Sequence, residues 1–439
     1  MTAQWARVSR NLALVLSSTG FQAVCSLGAL ALNARALGSD AFGTLAIIQA
    51  YASLVSSFTA LSTWQAVIRI GKASRRPLGP TLAGGMLVDG TAAMAGTLVA
   101  LGGILLFAPA LGIAEPVRWL AAVYCLSLLF GLTGTPKGYL RLIGRYDILV
   151  WCQAAHAFAV LSVSVLLLAL RSLLATYVIA FASLEALYGA AVMTTFLVLA
   201  RPEGLTRSVK PKSRRFRLHL ARMVRVVLGT SLLSALLSAQ RRLPVIIAAG
   251  VLGPHGTGPF ALAARLASIV PRAAVAANQI VFPEMVAVST WRDRRAALRL
   301  VMAMTAVAAV LLGCASALVH TFAVAIVVVA GGEEFRSAAT PFTLLFAAEC
   351  AVLAGMPLHA LVQGLRGVRL LLVITCVSFV LLIALAAVLA PSLGATGVAL
   401  ACLIAAVLAY AGALVVAISG LLATQPGAGR AVELAQTAN

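Results

Sequence analysis

Apolar residues fill this chain in windows of about 20, the length a helix needs to cross a hydrocarbon core, and only short polar interruptions separate them. The pattern predicts twelve spans. Six lie at 12–32, 42–61, 81–107, 119–135, 148–170 and 173–199, and six at 226–252, 260–282, 300–319, 342–362, 370–389 and 395–418. The apolar stretch from His320 to Val329 is too short to span alone; it either extends the ninth helix or lies at the interface. The expected fold is an all-α membrane protein of two six-helix bundles: 1–205, a basic linker at 206–225, 226–422, and a tail at 423–439. A faint repeat supports the division. Leu37-Gly38, Gly43 and Ala46 recur as Leu252-Gly253, Gly258 and Ala261, a constant offset of 215 residues. Both copies follow an odd-numbered span, so the halves are expected to be parallel repeats about an axis along the membrane normal.

Composition agrees with this picture. Of 439 residues 62% are hydrophobic and 10% charged, with a mean hydropathy of +1.03. The net charge of +21 would suggest nucleic acid in a soluble domain, but its distribution implies membrane lipid and no nucleic-acid partner. With a cytoplasmic amino terminus, 25 of the 33 Lys and Arg fall on inner segments, four on outer loops (Arg35, Arg118, Arg171, Arg336) and four within spans. That bias places both termini in the cytoplasm of a bacterial inner membrane. The largest cluster, from Arg201 to Arg225, joins the halves and is expected to anchor on anionic lipid. The start of the chain superficially resembles a cleavable signal, with Arg7 and Arg10 before an apolar run. Cleavage would leave an odd number of spans, so the first helix is expected to remain. The seven cysteines sit singly in apolar segments and are expected to be packing residues.

Sequence motifs for catalysis are missing. There is no phosphate loop, no His-Glu-x-x-His, no Cys-x-x-Cys and no Gly-x-Ser-x-Gly. No cofactor or metal is expected, and the outer loops are too short for a glycan polymerase. The chemistry on offer is charge within spans, which is costly in a bilayer and faces a cavity or a partner. Ser231, Ser234, Ser238, Arg241 and Arg242 fall within an arc of about 100° on the seventh helix. Arg265, Ser268, Arg272 and Gln279 form a similar stripe on the eighth. Arginine suits phosphate because its planar fork donates two parallel hydrogen bonds and stays charged. The bland reading of the same residues is snorkelling to headgroups. Asp89, Glu185 and Glu349 are candidate sites for a coupling ion, H+ or Na+, or neutralise the arginines; both readings stand at this point. Glu349, His359 and Gln363 share an arc of about 80° on the tenth helix, which makes Glu349 and His359 the candidate pair for a proton relay, while the commoner role of a lone membrane histidine is that of a hydrogen-bonded packing residue.

Several short patterns resemble the oligosaccharide and polysaccharide flippases of the multidrug, oligosaccharidyl-lipid and polysaccharide exporter superfamily. They are Ala34-Arg35-Ala36-Leu37-Gly38 with Phe42-Gly43-Thr44-Leu45, Leu252-Gly253-Pro254 through Gly258 with Ala261-Leu262-Ala263, Phe282-Pro283, and Gly144-Arg145. The likeness runs over nearly the whole chain, with one departure: Gln240 precedes Arg241 where relatives often carry Asp. It implies a V-shaped pair of bundles that moves a polyprenyl-diphosphate-linked oligosaccharide, of the lipopolysaccharide or exopolysaccharide kind, across the membrane by alternating access, beside other polysaccharide-assembly proteins. Arg241, Arg242, Arg265, Arg272, Ser238 and Gln279 would then hold the substrate. The alternatives are a multidrug or cation antiporter of the same superfamily, which would prefer an acidic or aromatic pocket, and a membrane polymerase.

Overall fold

The structure, a computed structural model, describes residues 2–59, 61–73, 78–200, 214–269, 294–359 and 368–423. The helices are α1 (Thr2–Thr59), α2 (Thr63–Ala73), α3 (Gly79–Phe107), α4 (Arg118–Leu126), α5 (Gly134–Leu142), α6 (Tyr146–Ala169), α7 (Leu174–Leu199), α8 (Arg214–Ala267), α9 (Arg294–Gly331), α10 (Ala339–Ala354) and α11 (Val368–Ala423). Among the described residues nine segments are long and apolar enough to cross a membrane. Three of them, carried by α1, α8 and α11, are each broken once by a glycine at positive φ: Gly38 (67°), Gly253 (65°) and Gly394 (59°). The chain there folds back into two arms, which brings the crossings to twelve, six in each half. The eighth is described only as far as Ile269; the expected linker at 206–225 is described from Arg214 on, where it is already the start of α8, and 201–213 lie outside the described residues.

Polar residues around these breaks predict loops of several residues, yet the helices run up to a single glycine on each side. Only glycine enters the left-handed region without steric cost. Pro254 follows at the first position of a new arm, where its missing N–H is no loss. His320 to Val329 extends the ninth helix, which runs unbroken to Gly331. The fourth span departs from a simple rod. It breaks after α4 into a short tight turn (Ser127–Phe130) and restarts as α5.

All the hairpins and the turns at 109–117 and 333–338 gather at one end of the molecule, the hairpin end, and there the two halves interlock. A Cβ on Gly43 would lie 2.0 Å from the carbonyl oxygen of Pro254, and one on Gly258 would lie 2.2 Å from that of Ser39. Both pairs are related by the same 215-residue offset, so the repeat glycines make one reciprocal backbone contact about the local axis. Polar groups complete it. Ser39 opens the second arm of α1, so its N–H has no helical partner. The Glu334 carboxylate of the other half accepts that N–H at 2.8 Å and the Ser39 hydroxyl at 2.5 Å. His255 Nδ1 lies 3.0 Å from Ser39 Oγ and 3.2 Å from Asp40 Oδ1, and Arg35 donates to the Val329 carbonyl. Beneath them Phe42 meets Phe335 edge to face at 5.7 Å within a cluster that includes Leu30, Phe260 and Phe342.

Gly43→Ala and Gly258→Ala are therefore expected to lower stability by about 1–3 kcal/mol each, the usual cost of overpacking. Thermal unfolding of the purified protein checks this, with Gly20→Ala and Gly90→Ala as neutral controls, because no atom lies within 4 Å of a Cβ at either position.

Candidate functional site

A cavity of about 740 Å³ opens between the halves, within the middle of the spans. The second arms of α1 and α8 run from the reciprocal glycine contact at the hairpin end, the seal between the halves, and form the cavity's roof; the first arms, with α4, α6, α7 and α10, form its walls. One wall is cationic. Arg241 and Arg242 reach it from the first arm of α8, just before Pro244 within that helix, and Arg265 reaches it from the second arm. Glu349 on α10 faces the same space within electrostatic reach of Arg241. The opposite wall carries Gln153, His156, Glu185 and Tyr188, and Gln22 and Asn33 line it from α1. His156 Nε2 stands 3.8 Å from Glu185 Oε1, and its ring lies 5.0 Å from that of Tyr188. Tyr124 sits where the fields of Glu185, Arg265 and Arg242 meet.

The polar stripe on the seventh helix thus divides in two. Arg241 and Arg242 face the cavity. Ser231 is buried in a contact between the halves, accepting the Ser62 N–H at 2.8 Å. Ser238 is exposed and does not line the cavity. Gln240, the departure from the family pattern, donates to Ser378 Oγ at 2.9 Å and ties α8 to α11. Arg272, Gln279 and Gln363 lie outside the described residues.

Of the acids, Glu185 and Glu349 line the cavity and Asp89 does not. Asp89 is buried on α3, where Thr63 Oγ1 donates to one carboxylate oxygen at 2.6 Å and the Thr135 N–H to the other at 2.6 Å. Thr63 begins α2 and Thr135 is the second residue of α5. One carboxylate therefore accepts a backbone N–H at the start of α5, where negative charge is favoured, and the hydroxyl of the residue that begins α2. Gly134 permits the approach: a Cβ there would lie 2.0 Å from Thr63 Oγ1. This knot accounts for the broken fourth span, because α5 must restart where Asp89 can cap it.

His359 does not line the cavity, and its Nε2 has no hydrogen-bond partner among the described residues. The arc that joined it to Glu349 assumes one continuous helix, but α10 ends at Ala354 and a turn at Gly355 intervenes before His359. The proton relay expected between these two is not assembled. Sequence reasoning passed over Gln49, Gln22, Gln153, His156 and Tyr188. They are single polar residues in apolar helices, and only their shared cavity distinguishes them. Among the described residues no group of three His, Cys, Asp or Glu could hold a metal.

Among the described residues the chain is all helical, with two halves locked at one end around a polar cavity, and solved structures of membrane transporters share this fold. No family model matches the sequence. The structure is similar to that titled an inward-facing conformation of a multidrug resistance MATE family transporter of the MOP superfamily, with a TM-score of 0.74 and 16% identity over 98% of this chain and 100% of that one. It is similar also to the lipid II flippase MurJ in an inward closed conformation, at a TM-score of 0.69 and 12% identity over 93% and 89% of the two chains. In sequence it is 30% identical over 156 residues to the inner membrane protein YghQ of Escherichia coli strain K12. That match takes in 34% of this chain and less than half, 44%, of the relative.

Asp89→Ala is expected to strand the buried Thr135 N–H, at a cost of about 1–3 kcal/mol. It should lower the thermal unfolding midpoint without changing the affinity of any ligand for the cavity, a split that unfolding and binding measurements on the same variant would check.

Proposed function

We propose that this chain flips an isoprenoid-diphosphate-linked oligosaccharide from the inner to the outer leaflet of a bacterial inner membrane, for polysaccharide biosynthesis. The observation that carries this reading is the convergence of Arg241, Arg242 and Arg265 on one mid-membrane cavity. Cations there are expensive, and a diphosphate is the cargo that offsets the expense, through bidentate, charge-assisted hydrogen bonds. The facing wall of amides, hydroxyls and Tyr188 suits sugar hydroxyls, and the volume lies within the range of small-ligand sites. The isoprenoid tail would remain in the bilayer. An inside-negative potential favours outward movement of negative charge by about 2.3 kcal/mol per charge per 100 mV, and counter-transport of H+ or Na+ would add to this. Glu185 and Glu349 are the cavity acids placed to bind such an ion. The name of the Escherichia coli relative supports the inner membrane, and the distribution of Lys and Arg supports cytoplasmic termini.

The likeness to MATE transporters keeps a cationic-drug antiporter in view. Against it, three arginines face two acids in the cavity, and Glu349 already has Arg241 beside it.

Each of Arg241→Ala, Arg242→Ala and Arg265→Ala should reduce glycan export by roughly 10- to 100-fold, the value of one hydrogen bond to a charged group, while membrane insertion stays normal. Arg272→Ala is expected to behave likewise. Accumulation of lipid-linked glycan on the cytoplasmic leaflet measures the effect. Undiminished export in both Arg241→Ala and Arg272→Ala would sink the proposal.

A further inference from the structure

Arg265 does more than line the cavity. Its Nη2 donates to the side-chain oxygen of Gln49, across the boundary between the halves. Gln49 lies on the second arm of α1, eleven residues beyond Gly38, and Arg265 on the second arm of α8, twelve beyond Gly253. At 1.5 Å per residue the link sits about 16–18 Å below the two breaks. These are the same two arms whose Gly43 and Gly258 touch in the seal. Between seal and link the arms pack through buried Phe42, Ala46, Phe260 and Ala261. Both ends of the link face the cavity. The bond that ties the roof together is thus also exposed to whatever enters from below.

We infer that Arg265 couples cargo binding to release of the seal, by exchanging its Gln49 partner for the anionic head of the cargo. This rests on the anion-site reading given above. A neutral amide oxygen offers one ordinary acceptor. A diphosphate offers charged oxygens in the geometry of the guanidinium fork, so the exchange adds an ionic partner and a second, parallel hydrogen bond. Arg241 and Arg242 are already in the same cavity to share the anion. Cargo therefore competes for Arg265, and success removes a side-chain tie between the two arms. The empty carrier keeps the tie, which disfavours opening at the hairpin end without cargo. Binding and opening are then reciprocal: whatever loosens the tie must strengthen anion binding by the same factor.

Distance measurements on the full chain in lipid nanodiscs test this, with farnesyl diphosphate as the probe. Spin labels go on non-canonical residues at Leu173 and Ser392, exposed positions at the hairpin end on opposite halves, so that the native cysteines stay in place. In the wild type, saturating probe should shift the distribution to longer distances. Gln49→Ala should show longer distances with no probe present and bind it roughly five-fold or more tightly, the lower end of ordinary coupling between sites. A Gln49 that simply contacts cargo, or a tie that merely supports the fold, predicts weaker or unchanged binding in that variant. The inference is overturned if the wild type binds probe with unchanged distances, or if Gln49→Ala alters neither distance nor affinity. No probe binding by the wild type would overturn the anion site itself, and this coupling with it.

Discussion

The architecture depends on a close approach of two backbones. Two helical arms can touch carbonyl to Cα at the local axis only where neither carries a Cβ, and Gly43 and Gly258 supply that at equivalent places in the two repeats. From this contact the arms diverge, and the space between them becomes the cavity. The seal therefore fixes where the polar wall residues lie. An arm rotated by one residue would turn Arg265 or Gln49 away by 100°.

The two halves finish each other. The turn after α9 supplies the carboxylate that caps the second arm of α1, and the turn after α3 packs near Gly253, where a Cβ on Gly112 would lie 3.2 Å from the Ala249 carbonyl. Away from the seal the amino-terminal half is held by its own polar knot at Asp89, which fixes α2 and α5 against α3. Polar groups buried in this membrane protein thus divide by location. Those at the seal join the halves, those at Asp89 stiffen one half, and those in the cavity line the space between the two.

Much of this was legible in the sequence, for physical reasons. Length and hydropathy announced the spans, and the doubled Leu-Gly with a glycine five residues on marked the hairpins before their purpose was visible. Arg241, Arg242 and Arg265 were legible because a charge within a span needs a reason. The failures arose where a helix was assumed to continue. The Glu349 and His359 arc did not survive the turn at Gly355, and the bonds that hold Asp89 against the first residues of α2 and α5 left no trace in the sequence, where it stood as an ion site or an arginine partner. Gln49 gave almost no signal alone. Its one trace was its distance from Gly38, nearly that of Arg265 from Gly253, which becomes meaningful only once the arms are known to cross.

The reciprocal glycine contact also bears on how such a chain can change over generations. Where two copies of a motif touch each other, a change in one repeat meets the unchanged partner at once, so drift at that place is penalised twice over. The cavity walls carry no such debt: arginines from one half face amides and an aromatic ring from the other. A duplicated ancestor would thus be frozen at the hinge of its symmetry and free to diverge below it, so that the lining of the cavity could change while the fold around it stayed the same.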